Sequence, residues 1–228
     1  MKQHGSDFDI AIDQAKEIIE KNINHKVTSY VFPHDSYSDE SVSRALRVHE
    51  SIRTPEFLRP FYHRTVDIVI GGPYVSVETA NRLVDIAIKR RLWFIAKCHG
   101  VTEKRSMRSF KSITPAFLEA YLAYIHSKGD DVWVDTFSHV FEYLSSRTHT
   151  KIETKHFTAD SIDFVLHCDK PQEKLSRPLT VIVKTPSGVH VTSAREGDVR
   201  TVKAWVCAND KLCVDVDSYE ETTHLEWK

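Results

Sequence analysis

The pattern of apolar residues changes once along the chain, near residues 148–153, and this change constrains the fold more than any other feature. Before it, stretches with helical spacing alternate with short β-branched or apolar runs. After it, short alternating runs follow one another, separated by turn residues. The first pattern is typical of parallel strands joined by helices, and the second of a small antiparallel sandwich. We therefore predict two domains, residues 1–150 and 151–228.

The first domain is expected to be α/β, with strands too few for a closed barrel. A closed eight-stranded barrel typically needs about 250 residues. Strands are predicted at Val27–Phe32, Glu50–Thr54, Val66–Ile70, Leu92–Cys98 and Val132–Thr136. Helices are predicted at residues 8–19, with Asp7 as cap and Ile12, Ile18 and Ile19 inward, after Ser38, Ser76 and Thr114, and from the last strand to about Arg147. This count fits an open sheet or an incomplete (β/α) barrel.

The second domain is expected to be an all-β sandwich. Its predicted strands are Ile162–His167, Leu179–Lys184, Val189–Thr192, Val199–Val206 and Leu212–Val216. Three aromatic residues, Trp205, Tyr219 and Trp227, could stack on sugar rings. Packing in the core is the more common role of such side chains, and it is the role we expect.

Charge and hydropathy give no sign of a nucleic-acid or membrane partner. The sequence has 31 basic and 32 acidic side chains, for a formal net charge of -1. Such a balance gives no general attraction to nucleic acid or to an anionic membrane. No stretch approaches the ~20 apolar residues of a membrane span, and the first residues lack the apolar core of a signal peptide. As written, the chain is expected to be cytoplasmic.

The four cysteines have no CxxC spacing, which argues against a structural zinc site. Cys98 lies in an apolar strand, where we expect a buried thiol. Cys207 and Cys213 could pair across a hairpin, but without a sign of an oxidising compartment free thiols are the expected state.

Polar residues that follow predicted strands are the candidates for chemistry, because loops after parallel strands meet at one end of a sheet. These residues are His34, Asp35, Arg53, His99 and Asp135. His99 follows a buried strand and could donate a proton to a leaving amine, although a solvent-facing loop histidine is an equal alternative. Asp135 could bind a substrate hydroxyl or orient an acid, or simply cap the next helix.

Motifs for metal, nucleophilic or phosphate chemistry are missing from the sequence. It contains no HxxxH, HExxH, GxSxG or P-loop pattern. His34 and Asp35 are adjacent, and neighbours on an extended chain point to opposite faces, so they rarely bind one ion together. A metal site would have to be assembled from scattered residues.

Three segments carry a resemblance to a known family. They are Val27–Pro33, Leu92–Gly100, and Asp130–Phe137 followed by a helix through Val140–Leu144. Together they resemble polysaccharide deacetylases of the NodB-homology type, the family-four carbohydrate esterases. The similarity covers roughly residues 7–147, and Val132–Phe137 is its most specific part. The C-terminal sandwich also looks like an accessory domain appended to some family members.

The resemblance implies an incomplete (β/α) barrel that removes acetyl groups from N-acetylated sugars with a divalent, zinc-like metal. It implies that His99 is the general acid and that a backbone N–H of Phe32-Pro33-His34 helps to form an oxyanion hole. Arg53 resembles the arginine after the next strand. The family's metal ligands, an aspartate and a histidine pair, would precede the first helix and have no match here. Phe32 replaces a tyrosine, and Asp35 stands where glycine is common.

We therefore expect a polysaccharide deacetylase-like hydrolase whose activity is impaired or lost. The alternative is a non-catalytic carbohydrate-binding or scaffold protein. The expected partner is an N-acetylated polysaccharide or oligosaccharide. If strands of the barrel are missing, an open sheet edge would also favour association with another chain.

Overall fold

The computed structural model describes residues 5–54, 65–72, 74–103, 110–169, 177–198, 200–217 and 219–228, with side chains from residue 10 onward. The predicted cap Asp7 lies inside the first helix, which begins at Gly5, and the predicted strand start Val199 lies outside the described part. The chain forms two compact units, Met1–Ser138 and His139–Lys228. The division comes earlier in the chain than residues 148–153.

The first unit alternates helices with parallel strands. In chain order its elements are α1 (Gly5–Ile23), β1 (Ser29–Tyr30), α2 (Asp39–Val48), β2 (Ser51–Ile52), β3 (Thr65–Val69), α3 (Val77–Arg90), β4 (Trp93–Lys97), α4 (Pro115–His126) and the start of α5 (Phe137–His149). β1 pairs in parallel with β2, and β3 with β4, in two separate sheets. The described strands do not close a barrel, and an incomplete barrel stays a prediction.

Three of these helices begin at the residues that the sequence indicates. Ser38 accepts a hydrogen bond from the backbone N–H of Ser41, whose hydroxyl in turn accepts from the Ser38 N–H, in a capping box. Ser76 caps α3, and Thr114 caps α4 by accepting from the Phe117 N–H. Each cap satisfies a backbone donor that the first turn leaves unpaired.

Three predictions for the first unit are wrong. Residues 132–136 form no strand, and half or more of the Trp133 and Val134 side chains is exposed. Cys98 is exposed, because it lies beyond the end of β4 at Lys97 rather than within the strand. In α1 only Ile12 is buried, whereas Ile18 and Ile19 are exposed, because α2 contacts just one part of the α1 surface among the described elements.

After the end of α5, the second unit consists of two sheets, and a sandwich stays a prediction. Its strands are β5 (Thr150–Phe157), β6 (Ser161–Cys168), β7 (Leu179–Lys184), β8 (Val191–Glu196), β9 (Arg200–Thr201), β10 (Ala204–Ala208), β11 (Lys211–Val216) and β12 (Thr222–Trp227). They form sheets of order β5-β6-β12-β8-β9 and β10-β11-β7, antiparallel throughout. The sequence did not predict β5 and β12.

One apolar core fills the space between the two sheets. Its buried side chains include Phe164, Leu212, Val214 and Leu225. Trp227 belongs to this core and its indole N–H donates to the Ala159 carbonyl, which confirms the expected packing role. The expectation of free thiols is wrong for one pair, because Cys207 and Cys213 are joined by a disulfide between β10 and β11, with Cα atoms 5.8 Å apart. Cross-strand pairing brings Trp205 and Val206 opposite Cys213 and Leu212, and so holds the two cysteines near each other.

No helix in the described ranges is long and apolar enough to cross a membrane.

Candidate functional site

A chain of four charged side chains links the ends of β1 and β2 to the β3–β4 sheet. The Arg53 guanidinium, just after β2, contacts Asp35 through Nη2 and donates to Asp67 through Nη1 at 2.9 Å. Lys97 Nζ lies 2.8 Å from the other Asp67 oxygen. Arg53 is the central residue of this network, and only 11% of its side chain is exposed.

Asp67 and Lys97 share one face of their sheet because of the strand register. Asp67 lies opposite Ile95, so Lys97, two residues further along β4, has its side chain on the same side. The opposite face carries Ile68 and Phe94, which pack against the core formed with α3 and α4. The sheet therefore turns Ile68 and Phe94 toward α3 and α4, and its other face carries Asp67 and Lys97 together with Trp93 and Ile95.

The turn after β1 has an unusual backbone. Residues Pro33–Asp35 form a 3₁₀ turn in which His34 and Asp35 have φ angles of 58° and 51°. A non-glycine residue with positive φ is uncommon, and strained backbone of this kind clusters at functional sites. The ion pair between the Asp35 side chain and Arg53 stabilises this backbone conformation.

The backbone N–H groups of this turn differ in whether they donate a hydrogen bond. The N–H groups of Asp35 and Ser36 donate to the carbonyls of Phe32 and Pro33, each at 3.2 Å. The His34 N–H donates to no residue in the part of the chain that the structure describes. His34 therefore presents both its ring and a backbone donor at the end of β1.

The Phe32 side chain lies in the core rather than at the surface. Its side chain is 2% exposed, and its ring lies 5.0 Å from the Tyr30 ring and 5.4 Å from the Tyr37 ring. A ligand could therefore contact the backbone of Phe32 but not its side chain. Pro33 is exposed and sets the first position of the turn.

His99 is held at the end of β4 by its backbone and a neighbouring ring. Its N–H donates to the Lys111 carbonyl at 3.2 Å, and its ring packs edge-on against Phe110 with centroids 4.9 Å apart. The same Lys111 carbonyl lies so close to Gly71, after β3, that a Cβ there would be only 1.9 Å from the carbonyl oxygen. Gly71 thus lets the loop lie against the ends of both strands. The His99 ring is exposed.

Asp135 stands apart from this arrangement. Its carboxylate accepts the backbone N–H of Thr136, directly before α5, at 2.7 Å. The contact is with the neighbouring residue, before α5 begins at Phe137, so the roles that the sequence left open for Asp135 stay predictions. Of the predicted residues, the structure brings together Asp35 and Arg53, and with them Asp67 and Lys97.

Sequence analysis missed Asp67 and Lys97, although a signal was present. Each is the charged residue of an otherwise apolar strand, and strands that are buried on both faces rarely carry a charged residue. Their meeting depends on the parallel register of β3 and β4, which the sequence does not specify.

A second polar arrangement, also missed, lies on the five-stranded sheet of the other unit. The ring nitrogens of His167 contact Glu220 and Glu153 at 2.8 Å and 2.7 Å. Hydrogen bonds to Glu220, and then to Glu153, raise the pKa of His167. His224 likewise lies between Glu226 and Asp163, and its hydrogen bond to Glu226 is the largest cause of a raised pKa.

The residues described do not fit the divalent metal that the resemblance implies. No group of three His, Cys, Asp or Glu side chains in the described ranges is arranged to hold an ion. Zinc sites need three or four such ligands. We therefore derive no step through a metal.

Comparison of the chain with family models, with curated proteins and with solved structures finds no match.

Proposed function

We propose that the chain is a polysaccharide deacetylase-like protein that binds N-acetylated sugars at the ends of β1, β2 and β4, with hydrolysis of the acetamide impaired. The observation that carries the proposal is the strained turn of His34 and Asp35 fixed by Arg53. An acetamide carbonyl needs a fixed N–H donor, and the His34 N–H is such a group.

The two faces of the β3–β4 sheet also support a barrel-like arrangement. In (β/α) barrels helices cover one face of the strands, and the other face lines the interior, with functional groups at the carboxyl ends. Ile68 and Phe94 point toward helices, whereas Asp67 and Lys97 lie on the other face, where Asp67 contacts Arg53 from another strand pair. This is the distribution expected of an incomplete barrel.

His99 would act as the proton donor in such a site. Its ring is exposed after β4, and imidazole can transfer a proton near neutral pH. Donation to the leaving nitrogen is the part of amide hydrolysis that this side chain can perform. Without activation of the attacking water, the rate would remain low.

Calorimetric titration with N-acetylglucosamine oligomers, and with their deacetylated counterparts as control, tests the binding. We expect saturable binding of the acetylated oligomer that Arg53→Met weakens at least about tenfold, equivalent to 1.4 kcal/mol. Arg47→Met, at an exposed position on α2, is the matched control. Equal binding of both oligomers, or no binding, would refute the role of the His34 turn.

A non-catalytic glycan-binding protein is the second candidate. The observation that favours it is that Arg53 contacts both Asp35 and Asp67, and Lys97 supplies the second positive charge, so these carboxylates are engaged in ion pairs that hold the loop. Acetate release, measured with and without added zinc, separates the two candidates. Release that His99→Ala abolishes and His126→Ala leaves intact supports the hydrolase, and binding without release supports the second candidate.

A further inference from the structure

The three-stranded sheet β10-β11-β7 carries an aromatic and apolar row on the face that points away from the core. In β11, Leu212 and Val214 belong to the buried core, so Cys213 between them lies on the opposite face. The strand register places Trp205 of β10 on one side of Cys213 and Ile182 of β7 on the other. Ile182 is 60% exposed and Trp205 is partly exposed. The row therefore presents an apolar strip to solvent, with an indole at one end.

Two lysines lie side by side next to this row. Lys211 of β11 and Lys184 of β7 are directly opposite each other in the register, two residues along from Cys213 and Ile182 and on the same face. Like charges at directly opposed positions destabilise a sheet. Within the described ranges, neither ammonium group forms an ion pair with a carboxylate. The lysine pair is therefore a position where a bound anion would stabilise the sheet.

The remaining charged residues of this face leave it positive. Lys203, just before β10, places its Nζ 4.7 Å from the centre of the Trp205 ring. Asp215 of β11 accepts a hydrogen bond from Thr180 Oγ1 at 2.7 Å, and Asp210 lies in the turn between β10 and β11. Among the described residues of the face, three lysines thus stand against two carboxylates, whereas the formal net charge of the whole chain is -1.

We propose that this face binds a carboxylated oligosaccharide, with one sugar ring stacked on Trp205 and a carboxylate held by Lys184 and Lys211. The indole of a tryptophan offers a broad apolar surface on which the C–H face of a sugar ring can pack. Trp205 is diagonal to Lys211 across the β10–β11 pair, which separates the two residues by about 7–8 Å. A sugar ring on the indole can therefore place its own carboxylate, or that of the next sugar, over the lysine pair.

The lysine pair determines which chemistry the ligand needs. A carboxylate between two ammonium groups offsets their repulsion and accepts charge-assisted hydrogen bonds from both. A neutral glycan would leave the repulsion in place. A nucleic acid requires many basic contacts to its phosphates, and this face offers three lysines. The inference does not rest on the proposed function, because it concerns the second unit and involves neither Arg53 nor His99.

Calorimetric titration of the full chain with a hexamer of galacturonic acid tests the proposal, and the methyl-esterified hexamer is the uncharged control. We expect saturable binding of the acid that weakens in high salt, and binding of the ester that is at least about tenfold weaker. Combining Lys184→Gln with Lys211→Gln should weaken binding of the acid to a similar extent. Combining Lys89→Gln with Lys151→Gln, at exposed positions elsewhere, should leave it unchanged, and so should Arg53→Met.

Substitution of the indole tests the stacking contact. Trp205→Ala should weaken binding of the acid at least about tenfold, Trp205→Tyr should keep most of it, and Trp133→Ala, at a half-exposed tryptophan of the first unit, should not change it. The double lysine variant should not lower the melting temperature, since it removes a like-charge pair, so its loss of binding is separable from unfolding.

Three results would overturn the proposal. They are no binding of the acid hexamer, equal binding of the acid and its ester, and binding that neither Trp205→Ala nor the double lysine variant weakens. Tighter binding of single-stranded oligothymidylate than of the hexamer would overturn it as well, and would assign the face to nucleic acid.

Discussion

The two units of the molecule are stabilised in different ways. In the second unit, buried side chains from both sheets form one continuous core. In the described part of the first unit they form two clusters, one around Ile12 and Ile52 and the other around Val84 and Phe117. Arg53 connects the end of β2 to β3 by an ion pair. A single core favours cooperative unfolding, whereas separate clusters allow parts of a unit to open locally.

The largest effect is expected from the core of the second unit. Phe164→Ala should lower the free energy of unfolding by about 3–5 kcal/mol, because the side chain is fully buried and leaves a cavity. Hydrogen exchange followed by mass spectrometry should show loss of protection in β6, β7, β11 and β12 together. The control Ile152→Ala, at an exposed position, should change the free energy of unfolding by less than about 0.5 kcal/mol. A loss of exchange protection confined to β6 would contradict a single core.

A smaller and more local effect is expected from the ion pairs of the first unit. Arg53→Met should cost about 1–2 kcal/mol, between the values for exposed and for buried pairs, because Asp35 and Asp67 lose their common partner. Exchange should increase in the turn after β1 and in β3, while α4 stays protected. Arg47→Met again serves as the control. Equal loss throughout the unit would mean that its clusters unfold as one.

The pH dependence of the second unit should come from His167 and His224. Their carboxylate partners raise both pKa values in the folded state. The stabilisation is therefore fully present below the unfolded-state pKa of about 6.5 and is lost as the pH rises through the folded pKa. The exchange-detected stability of this unit should fall between slightly acidic and slightly alkaline pH. Combining His167→Gln with His224→Gln should flatten this slope, and an unchanged slope would rule the two histidines out as its source.

The first unit should respond to pH in the opposite direction. His49 is buried, and desolvation lowers its pKa in the folded state. Its neutral form is favoured on folding, so this contribution is present above the unfolded-state pKa of about 6.5 and is lost as the pH falls through the folded pKa. Exchange in α2 should rise in mildly acidic solution, and His49→Phe should remove the change. If exchange in α2 rose equally in the His49→Phe variant, other titratable groups would be its cause.

Most helices could be predicted from the sequence because their signals are local. Ser38, Ser76 and Thr114 accept hydrogen bonds from N–H groups three residues away, and that spacing is visible in the sequence. β5 was missed for the opposite reason. An edge strand with both faces exposed needs no apolar alternation, and it is specified by pairing with β6 instead. Val132–Thr136 has the composition of a strand, but none of the described strands pairs with it.

The candidate site could be predicted only in part. Positions after strands gave His34, Asp35, Arg53 and His99, because the ends of parallel strands can be located from the sequence. Which of them meet depends on register and on distance between strand pairs. Arg53 therefore contacts Asp35 and the unpredicted Asp67, whereas the His99 ring packs against Phe110. The family assignment, the sugar substrate and the incomplete barrel stay predictions.

The position of β12 has a consequence for synthesis of the protein. This strand lies between β6 and β8 and supplies Leu225 and Trp227 to the core, yet it follows every other strand of the sandwich in sequence. A ribosome will have made both neighbours before the strand that joins them emerges. Until then β6 and β8 each present an unpaired edge and an uncovered apolar face, the surfaces that chaperones bind and that aggregate. The second unit is therefore expected to fold only once β12 has been made, whereas the local β–α–β segments of the first can form as soon as each has been made.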